Sequence, residues 1–126
     1  DWGHAREFIE AQWRILQQKN PDDFVIATGK NYSVKDLVNL VFKKLGIKYL
    51  WKKDKKGLEY AISLSDLDHI KKSQVIVKQD KSYFRPNEVH DLVGDYSKAK
   101  KRLNWRPKIS FEQLITEMIK SEIKNY

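Results

Sequence analysis

A chain of 126 residues with 40% hydrophobic and 12% aromatic residues has the composition of a single globular domain, which argues against disorder. The absence of cysteine excludes disulfides, zinc thiolates and a cysteine nucleophile, and no apolar run is long enough for a membrane helix. A net charge of +8 raises nucleic acid as a partner, but the lysines are scattered in pairs such as Lys43-Lys44 and Lys71-Lys72, with no basic stripe interleaved with exposed aromatics. A solvated lysine-rich surface accounts for them, so neither a nucleic-acid nor a membrane partner is expected. With no signal-peptide pattern either, the cytoplasm is the expected compartment.

The chain opens on Asp1 without an initiator methionine, its one methionine being Met118, and a helix is under way by Trp2 with no strand feeding it. Part of the apparatus is therefore expected upstream. Trp2, Ala5, Phe8, Ile9, Trp13 and Leu16 recur at helical spacing and predict a first helix over about Trp2 to Gln18, ended by Asn20-Pro21. Phe24 to Ala27 reads as a strand apolar on both faces, the kind found inside a parallel sheet. Ser33 with Asp36 predicts an N-cap, Val34 to Leu45 an amphipathic helix, and Gly46 its stop. Tyr49 to Trp51 and Gln74 to Lys78 read as strands, with a charged loop at Lys52 to Gly57 and an unassigned insertion from Leu58 to Ser73. Pro86 predicts an extended Tyr83 to Arg85. Asp95 caps a short helix ending near Leu103, with Asn104 in the left-handed position after it, and Ser110 with Gln113 forms a capping box for a last helix.

The five glycines are dispersed and no G-x-G-x-x-G occurs, so no dinucleotide fingerprint is present. Two Y-x-x-x-K spacings, Tyr49/Lys53 and Tyr96/Lys100, match a proton-transfer pair, but one straddles a strand and a loop and the other lies on a lysine-rich surface helix; neither is read as catalytic. His4 reads as a structural hydrogen-bonder, His69 and His90 as surface residues, and the three lack metal-ligand spacing. The strongest constellation is Tyr83-Phe84-Arg85-Pro86-Asn87-Glu88. A guanidinium forks two phosphate oxygens, a carboxylate three residues on can accept from vicinal ribose hydroxyls, and Pro86 stiffens the stretch between them. The competing reading of that spacing is an exposed salt bridge.

Four motifs occur in order: D-W-G-H-A-x-x-F-I-E-A-x-W (Asp1 to Trp13), V-I-A-T-G with S-V (Val25 to Val34), Y-F-R-P-N-E-V (Tyr83 to Val89) and G-D-x-S-K-A-K-x-x-L-x-W-x-P (Gly94 to Pro107). Together they resemble the C-terminal portion of the GDP-mannose 4,6-dehydratase family, within the extended short-chain dehydrogenase/reductases, across nearly the whole chain and least from Lys52 to Ser73. The resemblance implies an α/β fold, or α+β for this portion alone, lacking most of the Rossmann sheet, with residues 1–126 as one substrate-binding part. It implies a lyase that converts GDP-D-mannose to GDP-4-dehydro-6-deoxy-D-mannose with loss of water, on the route to GDP-fucose. NADP, the Rossmann domain and every catalytic group are implied upstream, so this chain alone is expected to be non-catalytic and to bind no cofactor or metal. Arg85 matches the family's pyrophosphate contact and Glu88 its ribose contact, with Tyr83 lining the same pocket; a homo-oligomer is also implied. Asn87, Tyr96 and Asn104 depart from the family's usual threonine, proline and glycine, and His90-Asp91 alters the usual run after the glutamate. The alternatives are a related nucleotide-sugar epimerase or dehydratase fragment, and a freestanding basic nucleotide- or nucleic-acid-binding module.

Overall fold

The computed structural model describes every residue except Asp68, Pro86, Glu88, His90, Asn125 and Tyr126, together with the side chain of Lys124. It is a mixed helix and strand structure with elements α1 (Ala5–Leu16), α2 (Val34–Lys44), β1 (Tyr49–Lys53), β2 (Glu59–Ser63), β3 (Val75–Lys78), a one-turn 3-10 helix (Lys81–Tyr83), α3 (Ser97–Leu103) and α4 (Phe111–Lys124). The chain divides into two compact units, one of Asp1–Leu37 with His90–Tyr126 and the other of Val38–Val89, the division falling inside α2.

The first unit is helical, and its core is Ala11, Ala99, Leu103 and Trp105, with Phe8, Ile15, Phe24, Ile26 and Tyr96 packed around it. Small residues let the helices approach closely: Ala11 and Ala99 are both fully buried where α1 meets α3. Trp105 fills the space between them, edge-on to Phe8 and Tyr96. Burying an indole removes roughly 200 Å² from water, on the order of 5 kcal/mol as an upper figure. Its Nε1–H donates to the carbonyl of Glu7 at 3.0 Å, so this large side chain leaves no polar atom orphaned.

Helix termini follow the local sequence signals closely. His4 is the N-cap of α1, its Nδ1 accepting the Arg6 N–H at 3.1 Å, which is the structural role expected of it. Ser33 Oγ accepts the Asp36 N–H at 3.0 Å while the Asp36 carboxylate accepts the Ser33 N–H at 2.8 Å, a reciprocal box at the start of α2. The same exchange joins Ser110 and Gln113 at α4. Gly46, at φ +69°, turns the chain out of α2 so that the Ile47 N–H reaches the Phe42 carbonyl at 2.9 Å. Asn104, at φ 49° and ψ 36°, takes the left-handed position after α3.

The second unit contains an antiparallel sheet in the order β1-β2-β3. Trp51 stands opposite Ala61 and Ala61 opposite Val77, with a register shift after Ala61 on the β3 side. Phe42 packs on Tyr49 with ring centres 4.9 Å apart. The Tyr49 hydroxyl and the Trp51 Nε1–H both donate to Asn39 Oδ1, which ties α2 to the strand.

Several expectations require correction: Lys52 and Lys53, expected in the charged loop, continue β1, and α1 starts at Ala5 rather than about Trp2. Phe24 to Ala27 is not a strand: Phe24 and Ile26 pack on the helical core, and a strand needs a ladder partner that local sequence cannot supply. The unassigned insertion holds β2, the central strand, whose two fully buried residues, Ala61 and Ser63, are too small to show as an apolar pattern. Tyr83 closes a 3-10 turn rather than starting an extended run, and the backbone becomes extended only at Phe84. The expected stiffening by Pro86 and the surface position of His90 fall outside the described residues.

Candidate functional site

The segment carrying Tyr83 and Arg85 leaves the sheet through a clamped exit. Beyond β3 the Gln79 N–H donates to the Glu59 carbonyl and the Glu59 N–H to Gln79 Oε1, both at 2.8 Å. Asp80 then caps the 3-10 turn, its carboxylate accepting the N–H and hydroxyl of Ser82 at 2.9 Å each. These hydrogen bonds, the backbone one first, hold the Asp80 carboxyl below its usual range. Two turn bonds follow, Tyr83 N–H to Asp80 and Phe84 N–H to Lys81. The result is a short fixed turn that delivers Tyr83, 83% exposed, and an exposed Arg85 to solvent.

Among the described residues Arg85 has no ion-pair partner and no acceptor for its five donors. Glu88 lies outside the described residues. Tyr83 closes the turn and Arg85 follows it two residues on.

The other family-like motifs lie in the first unit and make it cohere. The Asp1 carboxylate accepts the Thr28 N–H at 2.7 Å, the Thr28 hydroxyl at 2.6 Å, the Gly29 N–H at 2.9 Å and the Gly94 N–H at 3.3 Å. One carboxylate thus ties three separate motifs together. Gly94 is required by its neighbour: a Cβ there would stand 2.3 Å from that of Ala27. Glu7, only 7% exposed, accepts the Lys108 N–H at 2.7 Å and the Ile109 N–H at 3.2 Å. Sequence reading missed both roles. The signal for Glu7 was its place on the buried face of α1, one turn before Ala11.

A cleft of about 310 Å³ lies in this unit, lined by Trp2, Lys30, Tyr32, Tyr96, Lys108 and Phe111 among others. Phe111 is sandwiched between Tyr32 and Trp2, with ring centres 4.1 and 5.6 Å away. Tyr96 lines this cleft while Lys100 lines a different one, and Tyr49 donates to Asn39, so neither Y-x-x-x-K spacing assembles a proton-transfer pair. Among the described residues no three His, Asp or Glu side chains gather as metal ligands, and no helix is long and apolar enough to cross a membrane.

A family model described as GDP-mannose 4,6 dehydratase matches residues 1–118. GDP-mannose 4,6 dehydratase 2 of Caenorhabditis elegans is 45% identical over 126 residues, covering 98% of this chain and 30% of that protein. GDP-mannose 4,6-dehydratase of Vibrio cholerae is 42% identical over 127 residues, covering 98% and 34%. GDP-mannose 4,6 dehydratase of Homo sapiens is 38% identical over 125 residues, covering 98% and 32%. The chain spans about a third of the length of these curated relatives.

Proposed function

The chain belongs to the GDP-mannose 4,6-dehydratase family, and from that premise we propose that it supplies the nucleotide-sugar-binding part of a lyase converting GDP-D-mannose to GDP-4-dehydro-6-deoxy-D-mannose. Arg85 grips the diphosphate bidentately, Glu88 accepts from the ribose hydroxyls, and Tyr83 borders the same ligand. The observation that carries this reading is an exposed arginine on a clamped turn, without a carboxylate partner among the described residues, inside the motif Y-F-R-P-N-E-V. The bland alternative, an arginine consumed by a surface ion pair, has no support among those residues.

The described residues do not fit a dinucleotide. All three strands are antiparallel, no strand leads through a glycine turn into a helix, and a Cβ on Gly29, the glycine before α2, would meet the Tyr96 ring at 3.2 Å rather than an open cradle. On the family resemblance, we place NADP and the reacting groups in an upstream Rossmann domain of a longer, cytoplasmic, homo-oligomeric enzyme. The part described here binds and orients; it is inactive alone.

The test is GDP-mannose binding by the full-length protein and its Arg85→Ala variant. Losing a hydrogen-bonded charge contact of about 1.5–3 kcal/mol weakens binding by roughly ten- to a hundredfold. Unchanged affinity overturns the assignment of Arg85, and turnover by the purified 126-residue chain overturns the claim that it is inactive alone.

A further inference from the structure

A second cleft in the first unit, of about 330 Å³, is lined by Arg14, Lys100, Asn104, Trp105, Arg106 and Lys108. Four cations from α1, α3 and the following loop thus share one depression, and their charges are not equally committed. Arg14 is spent on structure: its guanidinium donates to the Leu103 and Asn104 carbonyls at 2.9 and 2.6 Å and to the Glu10 carboxylate at 2.6 Å. Those bonds satisfy the carbonyls at the C-terminus of α3. On the same helix Lys98 and Arg102 are paired with Asp22 at 2.6 and 3.9 Å. Lys100, Arg106 and Lys108 have no acidic partner among the described residues, and no carboxylate lines the cleft.

The backbone beneath these three is pinned. Arg14 fixes residues 103 and 104, the Trp105 indole is bonded to the Glu7 carbonyl, and the Glu7 carboxylate holds the N–H groups of Lys108 and Ile109. Arg106 and Lys108, two apart across Pro107, are thereby set on one cleft with Lys100 of α3. An unspent charge near +3 on a fixed frame, with a guanidinium fork and an asparagine among the lining groups, suits a multiply charged phosphate anion.

We propose that this cleft is a binding site for a diphosphate group, separate from Arg85. Lys100, Arg106 and Lys108 neutralise the phosphoryl oxygens, and Asn104 offers its amide to them. The fully buried Trp105 ring offers no stacking face, so the anion rather than a base is what the site reads.

Calorimetric titration of the full-length protein tests this, with Arg85→Ala as the background so that affinity at the first site is lowered and the remaining binding is assigned by the cleft variants. Inorganic pyrophosphate and GDP are titrated separately at physiological ionic strength. Saturable pyrophosphate binding is expected, weakened about tenfold or more by Lys100→Gln with Arg106→Gln and unchanged by Lys52→Gln with Lys53→Gln, which removes the same charge from β1. GDP equal to pyrophosphate assigns the site to the free anion, and tighter GDP to a nucleoside diphosphate; both support the diphosphate reading. Absent pyrophosphate binding, equal weakening by the two double variants, or tighter salt-steep binding of a single-stranded oligonucleotide that Lys100→Gln with Arg106→Gln leaves unaltered overturns it. Since the background lacks Arg85, failure here leaves the nucleotide-sugar reading standing.

Discussion

Replacing Glu7 with alanine removes the carboxylate on which the loop between α3 and α4 rests. Two backbone donors, Lys108 N–H at 2.7 Å and Ile109 N–H at 3.2 Å from both carboxylate oxygens, lose their acceptor in a place where Glu7 itself is 7% exposed. An unsatisfied, largely buried donor costs about 1–3 kcal/mol, and two of them, partly rehydrated through the gap left by the side chain, amount to roughly 2–4 kcal/mol. That is a large share of the ~5–15 kcal/mol by which a domain of this size is stable. The Trp105 bond to the Glu7 carbonyl is a backbone contact and survives the change, so the indole should stay packed. Urea unfolding followed by tryptophan fluorescence should show a lower midpoint at unchanged slope, and hydrogen exchange should quicken selectively at the Lys108 and Ile109 amides. Glu7→Gln, which keeps one acceptor, should fall between. A Glu7→Ala protein within about 0.5 kcal/mol of the parent, with those two amides still protected, would refute the reasoning.

Other consequences are equally specific. Gly94→Ala places a methyl group 2.3 Å from the Ala27 Cβ, which forces a backbone shift costing about 1–3 kcal/mol, visible as a lowered thermal midpoint. Acid should loosen the start of α2. Hydrogen bonds from the Ser33 hydroxyl and then its N–H hold the folded Asp36 carboxyl below the ordinary 3.8, so its contribution is whole above that pH and is lost as the pH falls through the lower folded value. Asp36→Asn should therefore flatten the acid side of a circular dichroism titration of the helices, and an unaltered curve contradicts this. Ile9, Trp13 and Leu16 lie exposed along α1, at 62%, 62% and 80%. The isolated chain should self-associate through this stripe, and Trp13→Lys should shift light scattering towards monomer.

What could be read from sequence was what depends on neighbours in sequence. The boxes at Ser33/Asp36 and Ser110/Gln113, the glycine stop at Gly46, the left-handed Asn104 and the hydrogen-bonding role of His4 each involve groups a few residues apart, and each is present. Strands failed where pairing decided the outcome. Phe24 to Ala27 has the apolar run of a strand but packs on helices, while Glu59–Ser63, lacking such a run, becomes the centre of a sheet between two partners. Asp1 and Glu7 were missed for a related reason. Their acceptors meet N–H groups at residues 28, 29 and 94 and at 108 and 109, far away in the chain, and a charged side chain on an amphipathic helix ordinarily signals the solvent face. For the candidate site, the role proposed for Arg85 comes from its motif, whereas its lack of a partner among the described residues required the three-dimensional arrangement.

The account stands most directly on calorimetry of GDP-mannose with full-length protein carrying Arg85→Ala. It predicts affinity lowered by roughly ten- to a hundredfold while circular dichroism and the unfolding midpoint stay at parental values. A parental dissociation constant in a normally folded variant would contradict it.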